Sequence, residues 1–224
     1  MVIKFFNDPS KLGGLVEILL GGVGTTCSIF ALTLALSVPL GMLVALGRMS
    51  HRRLVSKPLS FYIYVMRGTP LMLQLFFIYY GLPFVNDFFK TALHSAMVCA
   101  LIGFSLNYAA YFAEIFRGGL LSIDRGQYEA CQVLGLNKVQ TTFHVILPQM
   151  IRVALPSITN ESITLVKDTA LVFAISITEI LYYAKAAVTR TGNVFPYVIA
   201  FVIYLAMNTV LQLFFNWLEK KMAY

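Results

Sequence analysis

Charge is what this sequence has least of, and acid is the scarcer sign: 10 Asp and Glu against 17 Lys and Arg, together 12% of 224 residues. A soluble domain carries about 25% charged residues, so an ordinary water-soluble globule is excluded. Cysteine is nearly absent. Cys27, Cys99 and Cys131 are odd in number, far apart and without metal-ligand spacing, so no metal site is expected. There is no Gly-x-x-x-x-Gly-Lys-[Ser/Thr] loop and no Gly-Lys pair, so the chain cannot cradle and hydrolyse ATP by itself. His-Glu-x-x-His, Gly-x-Ser-x-Gly and Gly-x-Gly-Asp are missing as well, which removes the usual signatures of an intramembrane enzyme and leaves no catalytic residue to nominate.

What the sequence has is long apolar runs. Ile18–Gly47, Gly68–Asn86, Thr91–Ala113 and Thr191–Leu218 contain no Asp, Glu, Lys or Arg. A membrane-spanning helix needs about 20 apolar residues, and lipid offers the backbone no hydrogen-bond partner, so runs of this length are helices. The first run is too long for the core of a signal peptide, and further spans follow it. The expected fold class is an all-α membrane protein with about five transmembrane helices, near Thr25–Leu46, Leu59–Leu82, Thr91–Ile115, Ala154–Ile180 and Tyr197–Trp217. Residues 1–24 form an N-terminal segment expected at the interface or entering at a tilt. Residues 25–217 form the transmembrane domain, with a long polar loop over 118–152, and 218–224 a tail.

The formal charge of +7 reflects topology rather than nucleic-acid binding. Arg48, Arg52, Arg53 and Lys57 lie between the first two spans; Arg117, Arg125, Lys138 and Arg152 lie between the third and fourth; Lys220 and Lys221 follow the last. The other side has Lys4, Lys11, Lys90, Lys185 and Arg190. Positive residues concentrate in cytoplasmic loops, so the N-terminus is expected outside and the C-terminus inside.

The polar loop is therefore cytoplasmic, and it is patterned. Glu129-Ala130-Cys131 is followed by Gly135 and then by Val145-Ile146-Leu147-Pro148. Gln127 to Leu134 fits a short helix whose small Ala130 and Cys131 let another protein approach. Gly135 permits a sharp turn, and Pro148 suits the entry to the next helix. This stretch resembles the EAA loop of ATP-binding-cassette (ABC) importer permeases, with Cys131 in place of the second Ala and Val145 in place of Ile. Arg67-Gly68-Thr69-Pro70, Ala110-Tyr111-Phe112-Ala113-Glu114, Ser122-Ile123-Asp124-Arg125-Gly126-Gln127 and Lys167-Asp168-Thr169-Ala170-Leu171 are similar to segments of the polar amino acid permeases of that group.

The resemblance implies an ABC type I importer permease fold in a bacterial cytoplasmic (inner) membrane, multi-pass. Glu129, Ala130, Cys131, Gly135, Leu147 and Pro148 then couple to the ATPase. It also implies two ATPase subunits that bind ATP and Mg, a second permease, same or related, and an extracytoplasmic amino acid-binding protein. No cofactor is expected on this chain and no nucleic acid among its partners. The cargo is a polar amino acid or cystine. The alternative is an ion-coupled secondary transporter, which five spans without an internal repeat do not favour.

Ionisable residues inside spans mark pathways or buried pairs. Glu161, Thr164 and Asp168 share one helical face, with Lys167 on an adjacent one; Asn107, Tyr111 and Glu114 share a face of the third span. An amino acid zwitterion needs an acceptor for its ammonium, for which Glu161 is the candidate. It also needs donors for its carboxylate, for which Asn107, Tyr108, Tyr111 and Thr164 are. Lys167 is read either as a substrate contact or as part of an interface between permeases. Glu114 with Arg117 reads as a structural pair, and Arg67 as a residue that snorkels or caps carbonyls.

Overall fold

The structure is a computed structural model that describes residues 9–222. Residues 1–8 of the expected N-terminal segment, with Lys4 and Asp8, and 223–224 of the tail lie outside the described residues. Among the described residues every regular element is helical. The α-helices, in chain order, are α1 (Pro9–Leu20), α2 (Val23–Arg48), α3 (Arg53–Gly68), α4 (Leu71–Phe76), α5 (Asp87–Ala92), α6 (Ala96–Leu121), α7 (Arg125–Val133), α8 (Lys138–Gln140), α9 (Leu147–Asp168), α10 (Ile180–Thr191) and α11 (Phe195–Met222), with short 3-10 or π turns at Phe77–Gly81, Leu82–Phe84, Thr141–Ile146 and Thr169–Ile175.

Among the described residues three helices are long and apolar enough to cross a bilayer: Leu12–Arg48, Ala96–Leu121 and Phe195–Met222. Two bent pairs raise the candidates to five, in line with the count of apolar runs. The 37 residues of the first candidate span run to about 55 Å at helical rise, against a hydrocarbon core of about 30 Å. The extra length is α1, which packs Leu15 and Leu19 against Ile180 and Ala184 of α10 and Phe195 and Ile199 of α11. A Cβ at Gly22, between α1 and α2, would sit 2.4 Å from the Ile180 nitrogen. Only glycine lets the two backbones meet there.

The centre of the fold is α2 against α6, the most extensive helix contact in the chain. Thr26, Thr33, Ser37 and Gly41 form a buried stripe of small residues on α2, and a Cβ at Gly41 would lie 2.7 Å from the Phe112 Cβ. Small residues let helices approach closely where no hydrophobic force drives them together. Phe104, Tyr108 and Phe112 fill the α6 side of this core and are fully buried.

Two expected spans are not single helices. The span expected at Leu59–Leu82 breaks after Gly68, and the chain turns by 107° into Leu71–Phe84. Thr69, before Pro70, is extended at φ −122° and ψ 146°, as the proline ring requires of its predecessor. The span expected at Ala154–Ile180 starts earlier, at Leu147, and tightens into a 3-10 stretch at Thr169–Ile175. It ends at Ser176, whose φ is 65°, and α10 follows at a bend of 53°. The third span begins at Ala96 rather than Thr91, because Asn86 caps the separate helix α5 by accepting from Phe89 N–H.

Candidate functional site

Helix α3 ends in mid-fold, so its last carbonyls lose their intrahelical donors. Asn107 of α6 supplies one: its Nδ2 donates to the Met66 carbonyl at 3.0 Å and to Gln74 Oε1 at 3.0 Å. Gln74 Nε2 donates to the Met66 carbonyl at 3.0 Å and to Thr69 Oγ1 at 2.8 Å. Asn107, nominated as a carboxylate donor, thus has its amide N–H groups engaged at the break.

The next residue, Tyr108, is 1% exposed, and its hydroxyl donates to Asp168 Oδ2 at 2.7 Å. This ties α6 to the end of α9. Tyr111 carries the Arg67 guanidinium over its ring, 5.1 Å from the centroid, and its ring lies 6.2 Å from that of Tyr108. Glu161, two turns earlier on the same face of α9, lies within electrostatic reach of both Asp168 and Arg67. Among the described residues no hydrogen bond or ion pair holds the Glu161 carboxylate, and its side chain is half-buried. Thr164 donates back to the Asn160 carbonyl at 3.0 Å, and Lys167 is exposed. The fold therefore gathers Glu161, Tyr108, Tyr111, Asp168 and Arg67 into one polar cluster. Asn107 and Thr164 make backbone hydrogen bonds, and Lys167 stands at the rim.

Glu114 lies beyond Tyr111. Arg117 Nη2 reaches its Oε2 at 2.9 Å, and Arg48 pairs with its other oxygen. The structural reading of Glu114 with Arg117 agrees with this geometry, and Arg48 extends it to α2. A cavity of about 420 Å³ opens here, with Arg48, Arg67, Tyr64, Tyr111 and Glu114 in its lining.

At one end of the fold the chain builds α7. Asp124 caps it by accepting from Gly126 N–H at 2.7 Å. Cys131 is 3% exposed and anchors the helix inward, while Glu129 and Ala130 face out and Val133 is 88% exposed. Gly135, at φ +72°, closes it, with Gly135 N–H on the Gln132 carbonyl and Leu136 N–H on that of Cys131. A left-handed glycine is what this kind of helix end needs. Leu147 and Pro148 open α9 as its first two residues, and Gln149 Nε2 donates to Gln127 Oε1 at 2.9 Å, holding α7 against α9.

Sequence reasoning missed Glu179, which charge counting places simply on the outer side. It is fully buried. Its carboxylate accepts from Leu181 N–H at 2.7 Å, Tyr182 N–H at 2.6 Å and the Tyr204 hydroxyl at 2.6 Å. An acid just ahead of an apolar helical run was the available N-cap signal.

Comparison with known proteins identifies the family. The profile of the family described as "Binding-protein-dependent transport system inner membrane component" matches residues 37–224. The chain is 39% identical over 204 residues to the probable amino-acid ABC transporter permease protein YckA of Bacillus subtilis, covering 91% of this chain and 88% of that protein. It is 38% identical to the octopine transport system permease protein OccM of Rhizobium radiobacter, covering 95% and 89%. Among solved structures it matches a chain of an amino acid ABC transporter crystallised with histidines at a TM-score of 0.83 and 30% identity, covering 96% of this chain and 98% of that one. None of these relatives supports an ion-coupled transporter. The chain belongs to the family of inner membrane components of binding-protein-dependent transport systems, among its amino-acid ABC transporter permeases.

Proposed function

We propose that this chain forms half of the translocation pathway of an ATP-driven importer for a polar amino acid or cystine. It would sit in a bacterial cytoplasmic membrane with its N-terminus outside and its C-terminus inside. The complex has two such permeases, identical or related, two ATPase subunits that bind ATP and Mg, and an extracytoplasmic binding protein. The observation that carries the reading is α7. A nine-residue helix closed by Gly135 holds itself to the fold through Cys131 and presents Glu129, Ala130 and Val133 outward. An exposed apolar face beside a free carboxylate suits a groove on another protein, where Glu129 pairs with a basic side chain.

ATP binding draws the two ATPases together, and each carries α7 with it. The Gln127–Gln149 bond and the Leu147-Pro148 entry pass that displacement to α9. Helix α9 carries Glu161 and Asp168, so the motion at α7 reaches the polar cluster. Glu161 receives the ammonium of the cargo. Tyr108 and Asp168 support it from behind, Asn107 and Thr164 keep the surrounding backbone satisfied, and Lys167 lies at the seam with the second permease.

Uptake by the assembled complex in proteoliposomes, with its binding protein, tests the reading. ATP-dependent accumulation of at least one polar amino acid or cystine is expected. Glu129→Arg leaves assembly of the permease itself intact but uncouples ATP hydrolysis from uptake, and Glu161→Ala lowers uptake without loss of folded protein. Uptake driven by an ion gradient without ATP would overturn it.

A further inference from the structure

The polar cluster leaves the carboxylate half of a zwitterion with few free donors, the Tyr111 hydroxyl and the Arg67 guanidinium among the described residues. Glu161 answers an ammonium, but three of the donors that the sequence offers for a carboxylate are already engaged. The Asn107 amide holds the Met66 carbonyl and Gln74, the Tyr108 hydroxyl is on Asp168, and the Thr164 hydroxyl is on its own helix. Arg67 is in a different position. Its guanidinium lies over the Tyr111 ring and within electrostatic reach of Glu161. Among the described residues it makes no ion pair or hydrogen bond. It is exposed into the cavity of about 420 Å³, a volume within the range of small-ligand pockets. Glu114, the carboxylate among the described residues lining that cavity, is already answered by Arg48 and Arg117, so it does not pair with Arg67.

We propose that Arg67 is the receptor for the α-carboxylate of the cargo, opposite Glu161, and that Tyr111 presents it. The guanidinium is a planar fork of five donors that matches a carboxylate two bonds at a time. The Tyr111 ring holds that plane through its face, a contact that leaves the N–H edge open. The break after Gly68 is what makes this placement possible. Arg67 is the penultimate residue of α3, and because the chain turns by 107° there it ends in the cavity instead of continuing along a span. The site thus selects α-amino acids with a free carboxylate and excludes amines of the same side chain. The inference rests on the importer reading, and on the ammonium assignment of Glu161 within it.

The test is direct binding to the permease–ATPase complex without the binding protein, in phosphatidylcholine nanodiscs. The probes are L-arginine, L-histidine, L-glutamine and L-cystine, each beside its methyl ester. At least one free amino acid is expected to bind about tenfold or more tightly than its ester. Arg67→Gln should bring that ratio close to one by weakening the free acid alone, and Arg67→Lys should restore part of it. Co-purification of the ATPase with each variant reports assembly separately, so loss of the importer reading and loss of this one are distinct results. An unchanged ratio in Arg67→Gln, or no binding of any of the four to the wild type, overturns the proposal. So does a third result: phosphatidylglycerol binding that needs Arg67 while amino acid affinity does not, which would give Arg67 to a lipid phosphate.

Discussion

The two bends of this fold are capped by opposite chemistry. After Gly68 a helix ends, and the groups left bare are carbonyls; the neighbours that answer them are amides, Asn107 and Gln74. At Glu179 a helix begins, and the bare groups are N–H donors; the neighbour that answers them is a carboxylate. The rule is that a helix presents acceptors at its end and donors at its start. In a bilayer no water can substitute for either partner. The bends differ in exposure too. Arg67 to Pro70 are exposed and adjoin the polar cluster, whereas Glu179 is sealed between α10, α11 and Gly22. One bend adjoins the polar cluster, and the other is sealed within the bundle.

If that distinction is right, the sealed bend is the costlier to disturb. Glu179→Ala removes the buried acceptor of three part-buried hydrogen bonds and should destabilise the protein by about 3 kcal/mol, read as a large fall in Tm of the purified complex, with Glu179→Gln recovering part of it. Gly22→Ala forces a methyl group against the Ile180 backbone and should cost about 1–3 kcal/mol by the same measurement. Asn107→Ala opens the other bend and should cost about 1 kcal/mol, because Gln74 still donates to the Met66 carbonyl. A double-mutant cycle with Gln74→Ala should show a coupling of about 0.5 kcal/mol or more. Arg117→Ala breaks one half of a half-buried pair that Arg48 still answers and should change stability by about 1 kcal/mol or less. A larger effect at Asn107 than at Glu179 would reverse the comparison.

Much of this was legible as apolarity and little of it as direction. The uncharged runs and the basic loops point to about five spans, and the short loop helix and the turn at Gly135 were legible, the helix observed at Arg125–Val133 against Gln127–Leu134 from the sequence. The break in the second span escaped because hydropathy counts apolar residues and is blind to geometry; Pro70 was its signal, through the restriction it places on Thr69. Asn107 could be placed on a polar face by periodicity, but its partner, the Met66 carbonyl, exists as a free acceptor only once the chain has bent. Glu179 carried an N-cap signal, an acid ahead of an apolar run, but its burial was not legible, since its third donor, Tyr204, lies 25 residues on in another helix.

The most direct test of the pathway's dependence on an outside energy source is purification of the intact chain with its ABC ATPase, followed by the same purification with Gly135→Val and Glu129→Arg. Stable association with the wild type, weakened in both variants while the permease stays monodisperse, is the expected result. An ATPase that fails to associate with the wild-type chain, or that binds all three equally and hydrolyses ATP with the same coupling to uptake, would contradict the role assigned to α7.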